Sequence, residues 1–156
     1  MENVLIVDDE EDIVHLMSET LDHWGYHPVT AMDGEEALEK FHETPIDLVI
    51  TDLKLPKMDG VKLLNKVKDE DESTEVILFT GYPEVNSAID AMKNGAYDYL
   101  VKPVDLSELK LKVDRAIERK NMGKSISTLK GINIAMMVSI PFWLILGIIL
   151  TYLIKM

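Results

Sequence analysis

The chain contains no cysteine. Disulfides and thiolate metal sites are therefore excluded, while the compartment stays open. A surplus of basic charge is missing too: 28 Asp and Glu stand against 16 Lys and Arg, a formal net charge of -12. Phosphate backbones attract Lys and Arg, so no direct nucleic-acid partner is expected. The opening residues, MENVLIVDDEED, lack both the positive start and the long apolar run of a secretory signal. Charge itself is absent from the end of the chain. No charged residue lies between Ile132 and Ile154, whereas residues 1–130 hold every Asp and Glu and every Lys and Arg except Lys155. The mean hydropathy of +0.03 thus averages an acidic part and an apolar part. At 156 residues the chain can form one ordinary domain with a real core.

What is present alternates regularly and shows no internal repeat. Short apolar runs occur at Val4–Val7, Pro28–Thr30, Leu48–Thr51, Val76–Thr80 and Tyr97–Val101. Between them lie stretches of helical period. Ile13, Leu16, Met17, Leu21 and Trp24 mark one face. Ala37, Leu38 and Phe41 mark a second, after Asp33-Gly34. Val61, Leu64 and Val67 mark a third, after Asp59-Gly60. Val85, Ile89 and Met92 mark a fourth, closed by Asn94-Gly95. Leu106, Leu109, Val113 and Ile117 mark a fifth, opened by Asp105 as N-cap. Alternating strands and helices predict a parallel sheet covered on both faces. Right-handed crossovers leave few orders, and we expect the flavodoxin-like doubly wound five-stranded order 2-1-3-4-5. The run with Pro28 belongs at an edge.

In such sheets ligands bind beyond the carboxyl ends of the strands. The first run ends in Asp8-Asp9, the third in Asp52, the fourth in Thr80-Gly81 and the fifth in Lys102-Pro103. Taken singly, each is an ordinary turn, cap, strand or surface residue. Together they put three acids, a hydroxyl and an amine on one edge. Clustered carboxylates repel unless a cation lies between them. A hard divalent ion such as magnesium suits a few carboxylates, retained water and a phosphate ligand. Thr80 and Lys102 suit phosphate oxygens. A carboxylate beside such an ion can attack phosphorus and hold the group as an acyl phosphate. The four histidines (His15, His23, His27 and His42) are read as surface or partly buried residues, and Trp24 as core packing.

The segments VLIVDDEED, DLVITDLKLPKMDG, VILFTGY and AYDYLVKPVD resemble the receiver domain of bacterial two-component response regulators. The resemblance covers residues 1–121. It implies that Asp52 is the phosphoacceptor and that Asp8 and Asp9 bind Mg2+, with Asp9 the direct ligand. Asp52 and the backbone carbonyl of Lys54 complete the implied metal set. Thr80 becomes the switch hydroxyl, Tyr99 the switch aromatic and Lys102 the phosphate-binding lysine. The Lys102-Pro103 bond is implied to be cis and to aim the lysine inward. The implied donor is a sensor histidine kinase or phosphotransfer protein. The chain would be a phosphoacceptor that assists its own phosphorylation and dephosphorylation, not a turnover enzyme. Pro56 sets a rigid turn after the acceptor strand, and Gly60 is expected to supply an unusual backbone dihedral. Lys54 and Tyr82, each two residues beyond a key position, are expected to slow hydrolysis of the phosphoryl group.

The rest of the chain carries a different expectation. Residues 122–131 read as a linker. Residues 132–154 would span ~34 Å as a helix, against a hydrocarbon core of ~30 Å. Pro141 and Gly147 are tolerated in membrane helices. Arg115, Arg119, Lys120, Lys124 and Lys130 precede the segment and only Lys155 follows, which places the receiver on the cytoplasmic side of the cell membrane. Gly131, Ala135, Ser139, Trp143, Gly147 and Thr151 fall on a four-residue spacing, a weak motif for a homodimer through the tail. The expected protein is a membrane-tethered, single-domain response regulator with no further output domain, acting on a downstream protein or within a phosphorelay. The alternatives are a non-phosphorylated membrane adaptor that uses only the receiver surface, and a soluble receiver whose apolar tail docks on a partner.

Overall fold

The structure is a computed structural model that describes residues 1–123. Strand β1 (Asn3–Val7) leads to α1 (Glu11–His23), β2 (His27–Ala31) to α2 (Gly34–Glu43), and β3 (Leu48–Thr51) to α3 (Gly60–Glu70). Strand β4 (Glu75–Thr80), α4 (Val85–Lys93) and β5 (Asp98–Val101) follow. Residues 106–123 form a last helix, α5. All strand pairs are parallel, in the expected order β2-β1-β3-β4-β5. The Pro28 strand sits at the edge, where its missing N–H costs no ladder bond on the open side.

Side chains alternate across a strand, so each strand feeds two cores. Leu5, Val7, Val49, Val76 and Leu78 pack with Ala37 of α2 and with Leu63, Leu64 and Val67 of α3. Val4, Ile6, Leu48, Ile50 and Ile77 pack on the other face with Met17 and Leu21 of α1 and with Leu109, Val113 and Ile117 of α5. Each fully buried Leu or Ile contributes about 1.5–3 kcal/mol. Trp24 packs, partly buried, against the second core.

Helix starts follow the cap chemistry. Asp33 accepts from the N–H groups of Glu35 and Glu36, both at 2.9 Å, and Asp59 from that of Lys62 at 2.8 Å. Asp105 accepts from the N–H of Ser107 at 2.8 Å and opens α5. Gly95, at φ 88°, closes α4.

Some expected core positions are not core. Leu16 and Leu106 are each 56% exposed, and on α4 Val85, Ile89 and Met92 all face solvent. The buried residue of α4 is Ala91. The helix thus turns its small residue to the core and its larger apolar stripe to solvent. Gly60 also has another reason than expected. The positive φ in the β3–α3 loop belongs to Lys57, at 64°. Gly60 is required because its Cα faces the Asp52 main chain, where a Cβ would lie 3.1 Å from both the Asp52 carbonyl carbon and Leu53 Cα.

Residues 121–123 continue α5. The remainder of the expected linker and the expected membrane span over 132–154 lie outside the described residues. Among the described residues, no helix is long and apolar enough to cross a membrane.

Candidate functional site

The sheet register sets the site. Val7 pairs with Thr51 and Thr80 with Val101, so Asp8, Asp52 and Lys102 each follow directly on a paired strand end. The ladder extends one step further, because the Asp52 N–H donates to Val7 O at 2.9 Å and the Lys102 N–H to Thr80 O at 2.8 Å. Strands β1, β3 and β5 thus deliver two acids and an amine to one point.

Lys102 Nζ donates to Asp52 Oδ2 at 3.2 Å and also pairs with Asp8 Oδ2. Asp8 and Asp52 are 3% and 6% exposed, so this is a largely desolvated trio rather than a surface ion pair. Burial is the largest influence on Lys102 and works against its charge. The carboxylates of Asp8 and Asp52 together outweigh it and hold the lysine above its ordinary pKa. The ammonium also lies 5.3 Å from the centre of the Phe79 ring. The second oxygens of both acids are tied down. Asp8 Oδ1 accepts from the Glu10 N–H at 3.0 Å, and Asp52 Oδ1 from the Lys54 N–H at 3.2 Å.

The other expected residues surround this trio without joining it. Thr80 is fully buried at the end of β4, and its Oγ1 accepts from the Tyr82 N–H at 3.2 Å. Tyr99, on β5, is partly buried, and its hydroxyl oxygen accepts from the Glu84 N–H at 3.4 Å. Lys54 Nζ lies 4.7 Å from the centre of the Tyr82 ring, so the two residues expected to tune hydrolysis meet. Asp9 is exposed. Among the described residues, no three His, Asp or Glu side chains converge as a metal cage. The donor chemistry still fits magnesium. Two buried carboxylates share one amine, which leaves negative charge uncompensated beside Asp9, and every donor oxygen is hard. The Lys102-Pro103 peptide is cis, as the resemblance implies.

Three features escaped sequence reading. Glu84 pairs with Lys54 at 3.5 Å. Lys57 Nζ donates to the α2 cap Asp33 at 2.6 Å and fastens the loop that follows β3. Gly34 lies against Met58 of the same loop, where a Cβ would fall 2.7 Å from Met58 Cβ. Only the second left a signal, since Asp33 is readable as a cap.

Comparison with known proteins agrees with this geometry. The family model described as response regulator receiver domain matches residues 4–114. The regulatory protein AtoC of Escherichia coli (strain K12) is 40% identical over 123 residues, which are 79% of this chain and 27% of that protein. A response regulator receiver domain protein from Clostridium thermocellum is 37% identical with a TM-score of 0.75, covering 78% of this chain and 98% of that one. The beryllofluoride-activated NtrC4 receiver domain dimer is also 37% identical, at a TM-score of 0.73, covering 77% of this chain and 99% of that one. The chain therefore spans little more than a quarter of AtoC, and it belongs to the response regulator receiver domain family.

Proposed function

We propose that this chain is a phosphorylation switch in which Asp52 accepts a phosphoryl group from a histidine kinase or phosphotransfer protein. The observation that carries the proposal is the placement of Lys102 between Asp52 and Asp8, in a site where both acids are more than nine-tenths buried. One oxygen of Asp52 attacks phosphorus. The O–P bond forms as the N–P bond of the donor's phosphoimidazole breaks, and the bonding pair stays on the imidazole nitrogen. Catalysis is alignment and neutralisation of the charge on the equatorial oxygens. Lys102 neutralises part of that charge, and the Thr80 hydroxyl, at the end of β4 on the same edge of the sheet, would donate to a phosphoryl oxygen. Asp8, Asp9, Asp52 and the Lys54 carbonyl would hold magnesium, which supplies a further positive charge to those oxygens. Output is a population shift: the Thr80 hydroxyl leaves the Tyr82 N–H, Tyr99 reorients, and the α4–β5–α5 face changes.

The donor needs a way to dock. An apolar hollow of about 320 Å³ opens beside Lys102, lined by residues that include Ile13, Leu16, Phe79, Val104 and Leu106. Its exposed Leu16 and Leu106 are the same side chains that leave the core, which gives them a use as a donor-binding surface.

Incubation with acetyl phosphate and magnesium tests the acceptor. Labelling of the wild type that disappears in Asp52→Ala is expected. Absence of labelling in the wild type, or undiminished labelling of Asp52→Ala, rejects the reading in favour of an adaptor.

The tether is a second part of the proposal. It is supported by the charge-free sequence of residues 132–154 and by the basic residues before it. Carbonate-resistant pelleting with membranes is expected, with the receiver on the cytoplasmic side. Release by carbonate would instead favour docking of the apolar segment on a partner protein.

A further inference from the structure

Glu84 is the residue at which three parts of the molecule meet. It is the N-cap position of α4, with extended backbone and no capping bond from its own side chain. Its backbone N–H donates to the Tyr99 hydroxyl oxygen on β5 at 3.4 Å. Its carboxylate lies 3.5 Å from Lys54 Nζ, in the loop after the acceptor strand, and accepts from Ser87 Oγ at 3.4 Å. Lys54 is in turn held to the acceptor, because its N–H donates to Asp52 Oδ1 at 3.2 Å. A continuous path therefore runs from Asp52 through Lys54 and Glu84 to Tyr99 and to the start of α4.

The Lys54–Glu84 pair contributes little to stability. Its side chains are 56% and 58% exposed, and exposed pairs are weak. What the pair decides is where one positive charge sits. With Glu84 as partner, the Lys54 ammonium stays over the Tyr82 ring, away from Asp52. A phosphoryl group on Asp52 puts about two negative charges where the carboxylate carried one, close to the same lysine. Lys54 then has two anionic partners and room to choose, because a groove of about 570 Å³ opens between its loop and α4.

We propose that Glu84 is a positioning residue that acts through Lys54 as a latch on the unphosphorylated state. It competes with the phosphoryl group for the Lys54 ammonium. When the phosphoryl group wins, Glu84 is freed, and with it the N–H that engages Tyr99 and the first turn of α4. The inference rests on Asp52 being the acceptor. It adds a specific competitor that opposes the switch and a hydrogen-bonded and ion-paired path for the response to follow.

The test uses beryllofluoride with magnesium as a phosphoryl mimic, titrated into the full chain and into four variants: Glu84→Gln, Lys54→Met, the double variant and Asp52→Ala. Lys54→Met keeps the backbone carbonyl. Glu84→Gln is expected to tighten mimic binding about three- to fivefold in the presence of Lys54, in keeping with one weak ion pair. The same substitution is expected to have no effect in the Lys54→Met background, since no charge remains to be released. A merely structural role for Glu84 would alter binding equally in both backgrounds, and that result overturns the latch, as does unchanged affinity in Glu84→Gln. Absence of mimic binding by the wild type removes the acceptor reading itself. Binding lost in Asp52→Ala but indifferent to Glu84 keeps the acceptor and discards the latch.

Discussion

Gly60 lies against the main chain of Asp52: a side chain added there would overlap the Asp52 carbonyl oxygen and lie 3.1 Å from its carbonyl carbon. The Gly60 N–H also donates to Leu53 O at 2.9 Å, so α3 begins in contact with the segment that carries Asp52. Neither partner can yield, because the clash is with backbone. Gly60→Ala is therefore expected to destabilise by about 1–3 kcal/mol, the usual range for overpacking. Urea unfolding checks the value, and phosphoryl uptake should fall with it because Asp52 itself is displaced. A variant as stable as the wild type would mean that the loop relaxes freely.

Lys102 separates two buried acids. Lys102→Met leaves Asp8 and Asp52 facing each other without the amine. The expected loss is up to about 3 kcal/mol at neutral pH in the absence of a divalent ion, because an uncompensated buried charge remains. Magnesium should recover more stability in this variant than in the wild type. Melting temperatures with and without magnesium compare the two directly, and an equal magnesium response in both proteins would argue against a cation site between these carboxylates.

Asp71 links stability to pH. It follows α3 and accepts from the Ser73 N–H at 2.9 Å, Ser73 Oγ at 2.6 Å and Thr74 Oγ1 at 2.9 Å. Burial is the largest influence and raises its pKa. The hydrogen bonds from Ser73 and Thr74, with the Lys120 charge, outweigh it and bring the group to about 2. The unfolded chain titrates near 3.9. A depressed pKa means that the folded state favours the ionised form, so the contribution is complete above about pH 4 and fades as pH falls through about 2. The stability advantage of the wild type over Asp71→Asn should be constant from pH 7 to 5 and narrow below about pH 4. An advantage that persists unchanged to pH 2.5 would assign it to packing rather than charge.

The outward stripe of α4 predicts a contrast. Ile89 is 46% exposed, whereas Ile77 is fully buried between the sheet's two helical layers. Ile89→Lys should change stability by no more than about 0.5 kcal/mol. Ile77→Ala should destabilise by about 2–5 kcal/mol. Chemical denaturation of the two variants settles the orientation, and a large loss in Ile89→Lys would place that stripe in the core.

Loop anchoring can be measured as well. Asp33 caps α2 and also takes the Lys57 ammonium at 2.6 Å. Asp33→Ala should lower stability by about 1–2 kcal/mol through the lost cap. The β3–α3 loop should exchange its amide protons faster, since Lys57, at φ 64°, loses its tie. Unchanged exchange at Lys57 and Met58 would show that the tie does not restrain the loop.

The strand order and the positions of Asp8, Asp52, Thr80 and Lys102 were legible because they depend on local information. An apolar run buried on both faces, a turn signal and a polar residue at its carboxyl end are all read within a few residues, and parallel topology then stacks those ends on one edge. Helix periodicity is local in the same way, but it marks a stripe without saying what covers it. Val85, Ile89 and Met92 have the spacing of a core face, yet α4 turns Ala91 inward.

The sequence by itself therefore determined that the chain alternates strand and helix and carries an acidic, lysine-bearing edge suited to phosphate. Tertiary structure alone decided that Lys102 bridges Asp8 and Asp52, that Gly60 yields space to the Asp52 carbonyl rather than supplying a dihedral, and that Glu84 holds Lys54. Each of those facts joins residues from different elements. Such distances are set by how helices seat on the sheet, and spacing along the chain carries no measure of them.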